Sequence, residues 1–236
     1  MSSADAPLKY VAFCDVLGFS AAVSNDFDAT IALYREFQKN VQNWPFAERA
    51  KVSVYSDSMI VVSDELPPVV RAVKSLQWAA LLQGWLVRGG IARGLHWEEG
   101  DASNLFVVSD ALVKAVAIEK TVKVPAVVIS TDIELGIEAW VPRFESGAIT
   151  ATVLYFGGHA IVGPFNEYWF NSAVIRVQQM LESFPAHAEK YEWFLSLADA
   201  IRRDDLLVPQ TAVDRMVELG ILSVNPPGDG LKQAPN

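Results

Sequence analysis

The chain of 236 residues lacks several features that common enzyme classes require. It has one cysteine, Cys14, which excludes an intramolecular disulfide and a cluster of metal-bound thiolates. Its three histidines, His96, His159 and His187, have no close metal-ligand spacing, which argues against a zinc hydrolase. No Gly-x-Ser-x-Gly segment occurs, so the sequence does not indicate the nucleophile turn of a serine hydrolase.

Positive charge is also scarce. Lys and Arg total 19 against 28 Asp and Glu, which gives a formal net charge of −9 and a pI of about 4.8. Nonspecific binding to nucleic acid depends on cations that neutralise phosphates, and anionic lipid surfaces attract clusters of basic residues. We therefore predict a protein that binds neither nucleic acid nor a membrane.

Long apolar runs are missing, although 51% of the residues are hydrophobic. The apolar runs that occur, such as residues 59–62, are far shorter than the roughly 18 residues of a membrane span and are typical of buried strands. No cationic segment followed by an apolar core appears in residues 1–9, so no secretory signal is visible. Together with the single cysteine, this predicts a cytoplasmic protein.

The sequence does have an ordered series of strand and helix patterns. Strands are predicted at 10–15, 88–97 and 124–130, with a hairpin at 51–63; helices are predicted from 20 to Pro45 with a break at 25–26, from 67 to about 84–87, and at 110–120. The first six elements form the β-α-β-β-α-β arrangement of ferredoxin-like folds. The predicted class is α+β, with an antiparallel sheet and helices packed on one face.

The composition changes after Pro142. A hairpin is predicted at 151–164 around the Gly157-Gly158 pair, mostly helix at 172–203 with a break at Pro185, and a frayed tail at 225–236. We therefore divide the chain into a core at 1–142, an extension at 143–224 that we expect to pack on the core, and the tail. Loop lengths also allow the extension to be a small separate helical unit.

Two acids end predicted elements that neighbour each other in such a sheet. Asp15 ends the first strand, and Asp57 lies at or near the hairpin turn. Converging carboxylates repel unless a cation joins them, and two carboxylates with a backbone carbonyl suit Mg²⁺ or Mn²⁺ that also binds phosphate oxygens. Gly18 follows the first strand at a turn whose N–H groups are expected to face a phosphate. The pattern predicts a metal-dependent nucleotide site, although either acid alone is typical of an ordinary turn.

Three segments in order resemble motifs of class III nucleotidyl cyclases. Residues 13–20 (FCDVLGFS) resemble the first metal motif, 54–59 (VYSDSM) the second, and 87–94 (VRGGIARG) a later strand motif. The resemblance covers about residues 10–130 and implies a cyclase core. It also implies that Asp15, Asp57 and the Val16 carbonyl bind two divalent cations, Mg²⁺ or Mn²⁺.

The resemblance implies further roles around these metals. The phosphate turn is assigned to Gly18, Phe19 and Ser20. Arg93 is the first candidate for the cation that meets the leaving pyrophosphate, and Lys114 is the second; both also fit ordinary surface ion pairs. Tyr55 and Ser53 are the candidates for the base pocket, since alternate residues of a strand share one face. Core or interface packing is the alternative role for Tyr55.

The chain departs from purine cyclases at their base-recognition and transition-state positions. Ser53 stands where those enzymes usually carry Lys, and Val113 and Ala117 stand where they carry Asn and Arg when the following Glu is aligned with Glu119. The whole pattern is similar to the bacterial antiphage pyrimidine cyclases of Pycsar systems, which make cyclic UMP or cyclic CMP. The resemblance implies UTP as the favoured substrate and CTP as the second.

The same resemblance implies a homodimer with active sites at the subunit interface, and a separate effector that senses the cyclic nucleotide in antiphage defence. A non-catalytic cyclase-like domain that binds nucleotide or a partner remains the alternative, because the Asn and Arg are missing. A diguanylate cyclase is expected to carry a Gly-Gly-Asp/Glu-Glu-Phe hairpin, and residues 55–58 (YSDS) do not match it.

Overall fold

The computed structural model describes residues 6–42, 49–100, 104–122, 124–140, 142–145, 148–151, 153–163, 167–183, 185, 188–203, 205, 207–223 and 232–233. Its elements in chain order are β1 (Leu8–Val16), α1 (Phe19–Asn25), α2 (Phe27–Gln42), β2 (Lys51–Tyr55), β3 (Ser58–Ser63), α3 (Leu66–Leu82), β4 (Val87–Gly100), β5 (Leu105–Ser109), α4 (Asp110–Thr121), β6 (Val127–Ile129), α5 (Ile137–Trp140), β7 (Pro142–Glu145), β8 (Ala148–Ala151), β9 (Val153–Phe156), β10 (His159–Val162), α6 (Glu167–Ser183), α7 (Ala188–Arg202), α8 (Gln210–Glu218), β11 (Leu222–Ser223) and β12 (Lys232–Gln233).

The main sheet contains the predicted ferredoxin-like unit. Its strand order is β2-β3-β1-β4-β6-β10-β9, and the first four of these strands pair antiparallel. This confirms the α+β class and the β-α-β-β-α-β order of the first six elements. The sheet as a whole is mixed rather than antiparallel, because β6 pairs with β4 in parallel.

Helices cover both faces of this sheet. On one face, α1, α2 and α3 form a core with Ala12 and Ile91 of the central strands. On the other face, α4 lies so close to β4 that a Cβ at Gly90 would come within 2.5 Å of the Ala115 carbonyl oxygen. The prediction of helices on one face, which concerned the first six elements, therefore holds for α1 to α3, and α4 packs on the other face.

The C-terminal hairpin of β9 and β10 joins the same sheet, because β10 pairs with β6. The next two helices, α6 and α7, are separated around Pro185 as predicted, and they share a core with the end of α3.

The sequence did not predict β5, α5 or α8. Residues 43–48, which include the expected helix end at Pro45, and most of the expected tail lie outside the described residues, whereas Lys232–Gln233 pairs with Leu222–Ser223. Among the helices the structure describes, none is long and apolar enough to cross a membrane.

Cys14 is a core residue of β1. Its side chain is fully buried, and burial, with a smaller contribution from the negative charge of Asp15, raises the pKa of the thiol to about 12. Because the thiolate is the reactive form, we expect iodoacetamide at pH 8 to leave Cys14 unmodified in native protein and to alkylate it in urea, as read by intact mass. Rapid alkylation of the folded protein would contradict this burial.

Candidate active site

The two predicted metal acids converge at one end of the central strands. Asp15 lies opposite Ser58 in the β1–β3 register, directly after Asp57 in the β2–β3 turn. The Val16 N–H donates a 3.0 Å hydrogen bond to the Asp57 carbonyl oxygen. The negative charge of Asp57 acts on Asp15 strongly enough to contribute to raising its pKa. The pairing of β1 with β3 thus brings together two acids that are distant in the sequence.

Arg88 contacts the first of these acids from the neighbouring strand. It faces Asp15 in the β1–β4 register, and its Nε and Nη2 atoms donate hydrogen bonds of 3.2 and 3.0 Å to Asp15 Oδ2. Arg88 Nη2 also lies 2.7 Å from Oε1 of Glu119 in α4. The pKa of Asp15 is raised overall. Burial is the largest cause and raises it, the hydrogen bond and charge of Arg88 lower it, and the negative charges of Asp57 and Glu119 raise it.

The charge of this cluster favours a further cation. The cluster contains three carboxylates, because Asp57 and Glu119 both act on Asp15. Arg88, which contacts Asp15 and Glu119, supplies one positive charge. No group of three or more His, Cys, Asp or Glu side chains suited to a metal occurs in the part of the chain that the structure describes. Mg²⁺ is commonly held by one or two carboxylates while substrate phosphates complete its shell. Asp15, Asp57 and the Val16 carbonyl fit that donor set.

The predicted phosphate turn follows β1 directly. Gly18 precedes α1 with a φ of 78°, and a Cβ there would meet no atom within 4 Å, so backbone conformation rather than space requires glycine. Phe19 is buried against Tyr34 and Trp85, with ring centroids 5.7 and 5.6 Å away. The Phe19 side chain therefore packs in the core, and only the backbone of this residue is available to a ligand. Ser20 is exposed.

The predicted base-pocket residues lie on β2, two strands away from β1 in the sheet. Ser53 and Tyr55 are alternate residues of this strand and so share a face. The Tyr55 side chain is 55% exposed, so it does not pack in the core of one chain. Both residues are accessible to a ligand or to another subunit.

The two predicted cationic residues are neighbours through the backbone of β4, and both lie away from Asp15 and Asp57. The Arg93 guanidinium stacks over the ring of Tyr10 at 5.4 Å from its centroid. Lys114 pairs with Asp110 at 2.8 Å and reaches the Arg93 carbonyl oxygen at 3.4 Å. Arg93 is five residues beyond Arg88 on β4, roughly 17 Å along the strand. Within one chain, the structure brings neither Arg93 nor Lys114 to Asp15.

Arg88 is thus the functional candidate that sequence reasoning missed, although its motif was recognised. Side chains alternate between the two faces of a strand, so Arg88 and Arg93 point to opposite faces of β4. In the register, Arg88 lies opposite Asp15, whereas Arg93 lies opposite Tyr10. The positions of the two residues in their strands could have identified Arg88. Asp15 lies near the end of β1 and Arg88 near the start of β4, and these two ends are adjacent in an antiparallel pair.

No protein-family model matches the chain, and no curated protein matches it significantly. Several solved structures resemble it at low identity. The catalytic core of a rhodopsin-guanylyl cyclase in complex with ATPαS is 15% identical, with 68% of this chain and 97% of that one covered, at a TM-score of 0.45. The guanylyl cyclase Cya2 is 11% identical, with 69% and 95% covered, at 0.44. The adenylyl cyclase CyaB from P. aeruginosa is 12% identical, with 66% and 92% covered, at 0.43. These structural neighbours are class III nucleotidyl cyclases, and TM-scores below 0.5 assign this chain neither a family nor an activity.

Proposed function

We propose that the protein is a nucleotidyl cyclase that converts UTP, or CTP as its second substrate, into the 3′,5′-cyclic monophosphate and pyrophosphate. The observation that carries the proposal is the convergence of Asp15 and Asp57 in a cluster with excess negative charge, beside the guanidinium of Arg88. These three residues come from the three segments that resemble cyclase motifs.

The acids and the guanidinium have distinct parts in this mechanism. Asp15, Asp57 and the Val16 carbonyl would hold two divalent cations, Mg²⁺ or Mn²⁺. Such cations, when bound, lower the pKa of a ribose 3′-hydroxyl and hold a triphosphate. The 3′-hydroxyl would release its proton to water, the 3′-oxygen would attack the α-phosphorus in line, and the bond from that phosphorus to the pyrophosphate oxygen would break. Arg88 offers positive charge to the triphosphate as negative charge grows on the leaving group, and the N–H groups of Gly18, Phe19 and Ser20 face phosphate oxygens.

The proposed preference for a pyrimidine rests on the two residues of the predicted base pocket. Ser53 and Tyr55 offer a hydroxyl and a ring that can bond or stack with a small base. Val113 is 70% exposed, and Ala117, one turn later in α4, is also exposed. The positions where purine cyclases carry Asn and Arg therefore lie on the surface here without polar side chains. The chain therefore departs from purine cyclases at the transition-state pair, whereas the support for a pyrimidine base comes from Ser53 and Tyr55.

A homodimer is part of the proposal because one chain separates the candidate residues. Asp15 and Asp57 lie at one end of β1, while Arg93 and Lys114 lie near the other end. A second copy that places its own Arg93, Lys114 or Tyr55 opposite the acids would complete the site. The product is proposed to act as a second messenger for a separate cyclic-nucleotide-sensing effector in antiphage defence.

The test is a product assay with each of the four nucleoside triphosphates. Purified protein is incubated with Mn²⁺ or Mg²⁺, and the products are separated and identified by mass spectrometry. We expect cyclic UMP as the main product, with cyclic CMP second. The absence of any cyclic nucleotide from a folded, dimeric sample would contradict cyclase activity, and a purine cyclic nucleotide as the main product would contradict the specificity.

A second candidate is a cyclase-like domain that binds nucleotide without turnover. The observation that favours it is the pair of apolar residues Val113 and Ala117 at the positions of the usual Asn and Arg. It predicts metal-dependent binding of a nucleoside triphosphate that is recovered unchanged after incubation. The same product assay, combined with equilibrium binding, separates the two candidates.

A further inference from the structure

Glu119 is a buried acid that the proposed mechanism does not use. It lies near the end of α4, on the face that packs against β4, and its side chain is 7% exposed. Its Oε1 atom lies 2.7 Å from Arg88 Nη2, as an ion pair outside hydrogen-bond geometry. A buried carboxylate is costly unless it is paired, so Arg88 is needed to compensate its charge.

Arg88 is shared between this acid and the candidate metal ligand. Its Nη2 atom is 3.0 Å from Asp15 Oδ2 and 2.7 Å from Glu119 Oε1, while Nε adds a 3.2 Å hydrogen bond to Asp15. A cation that binds Asp15 competes with Arg88 for the same carboxylate, because the two positive charges repel each other there. Because one nitrogen already contacts both acids, Arg88 can leave Asp15 without losing its contact with Glu119.

We propose that Glu119 is a positioning residue that keeps Arg88 beside the site when a divalent cation binds the Asp15 carboxylate. This inference rests on the proposed function, because it requires Asp15 to be a metal ligand. In the metal-free protein Arg88 neutralises Asp15. When the cation binds, Glu119 accepts Arg88 and keeps its guanidinium within reach of phosphate oxygens. The exchange gives the cation access to Asp15 without leaving either Arg88 or Glu119 unpaired in the interior.

The test measures Mn²⁺ binding to nucleotide-free protein by isothermal titration calorimetry. In the Glu119→Gln variant, Arg88 pairs with Asp15 alone, so we expect Mn²⁺ affinity to fall about tenfold, within the range for residues that support a metal ligand. In Arg88→Gln the competing guanidinium is absent, and we expect Mn²⁺ affinity to rise about tenfold. Unchanged Mn²⁺ affinity in Glu119→Gln would overturn the proposal.

The double variant, Arg88→Gln with Glu119→Gln, separates this role from a simple effect of negative charge. If Glu119 acts through Arg88, its removal has no effect once Arg88 is gone, and the double variant binds Mn²⁺ about tenfold more tightly than the wild type. If Glu119 only adds negative charge near the metal, the two substitutions cancel and the double variant binds like the wild type. That second result would overturn the proposal.

The double variant also protects the test against misfolding. Arg88→Gln alone leaves Glu119 buried and unpaired, which is destabilising, whereas the double variant removes both charges. Thermal unfolding confirms that each protein is folded before titration. Glu218→Gln is the matched control, because Glu218 pairs with Arg215 at the same 2.7 Å on the exposed face of α8. We expect unchanged Mn²⁺ affinity in this variant.

A failure of this experiment and a failure of the product assay can be told apart. If no cyclic nucleotide forms but the Mn²⁺ affinities change as expected, the cyclase proposal fails and the exchange of Arg88 stands. If cyclic nucleotide forms and Glu119→Gln binds Mn²⁺ like the wild type, the cyclase proposal stands and Glu119 has no positioning role.

Discussion

Replacing Asp57 with Asn is expected to reduce the rate of cyclic nucleotide formation by at least about a hundredfold. The amide keeps the size of the side chain but removes the negative charge that a divalent cation requires. The contact between Asp57 and Val16 uses the backbone carbonyl, so the turn keeps its 3.0 Å hydrogen bond in the variant. The measurement is the initial rate of product formation from UTP at saturating Mn²⁺.

A matched control uses another acid of the same hairpin. Asp64 directly follows β3, where its carboxylate pairs with Lys9 at 2.5 Å on the exposed surface. We expect Asp64→Asn to retain nearly the full rate, because surface ion pairs contribute little to stability and Asp64 does not contact the acid cluster. Full activity of Asp57→Asn beside an active control would remove Asp57 from the site.

Replacing Gly89 with Ala is expected to lower the free energy of unfolding by about 3 kcal/mol. A Cβ at this position would lie 2.3 Å from the Phe13 carbonyl oxygen and 2.9 Å from Cys14 Cα. Both are backbone atoms of β1, so no side-chain rotation relieves the overlap and β1 must move away from β4. Because β1 carries Asp15 and β4 carries Arg88, we also expect a loss of activity. Urea denaturation followed by circular dichroism measures the change in stability.

Gly158 provides the control for the effect of a glycine substitution alone. It lies in the β9–β10 turn with a φ of 82°, and a Cβ there would meet no atom within 4 Å. Gly158→Ala therefore tests backbone strain without overlap, and we expect a loss of about 1 kcal/mol. Equal losses of stability in the two variants would contradict the close approach of β1 and β4.

The sequence predicted the local elements well where apolar spacing and turn residues agreed. The break at residues 25–26, the hairpin around Asp57 and the helix pair separated around Pro185 all occur in the structure. Each of these features depends on contacts between residues close in the chain, and the spacing of apolar residues reflects such contacts. The short strand β5 and the four-residue helix α5 were not predicted, because they carry too few residues to show a period. The nine-residue helix α8 was also not predicted, although its buried residues Ala212, Val213 and Met216 lie at helical spacing.

The sequence led us to expect that the two acids lie close together, as they do in the structure, but it did not identify the cation nearest to them. Asp15 and Asp57 were recognised because each ends a strand or turn whose neighbours follow from the order of elements. The sequence favours Arg93, five residues after Arg88 in the same motif, whereas the structure places Arg88 beside Asp15. The choice between them depends on the register and the face of β4, which a single strand does not reveal.

Composition and local patterns were sufficient to predict the acidic character, the buried strands, the α+β order and the two acids at the turns of the first sheet strands. These properties are local or compositional, so one chain read in order contains them. The tertiary structure alone decided that Arg88 contacts both Asp15 and Glu119, that α4 covers the second face of the sheet, and that Arg93 and Lys114 lie away from the acids in one chain. The reason is that strand register and helix packing bring together residues far apart in sequence, and each depends on the whole core rather than on any one segment.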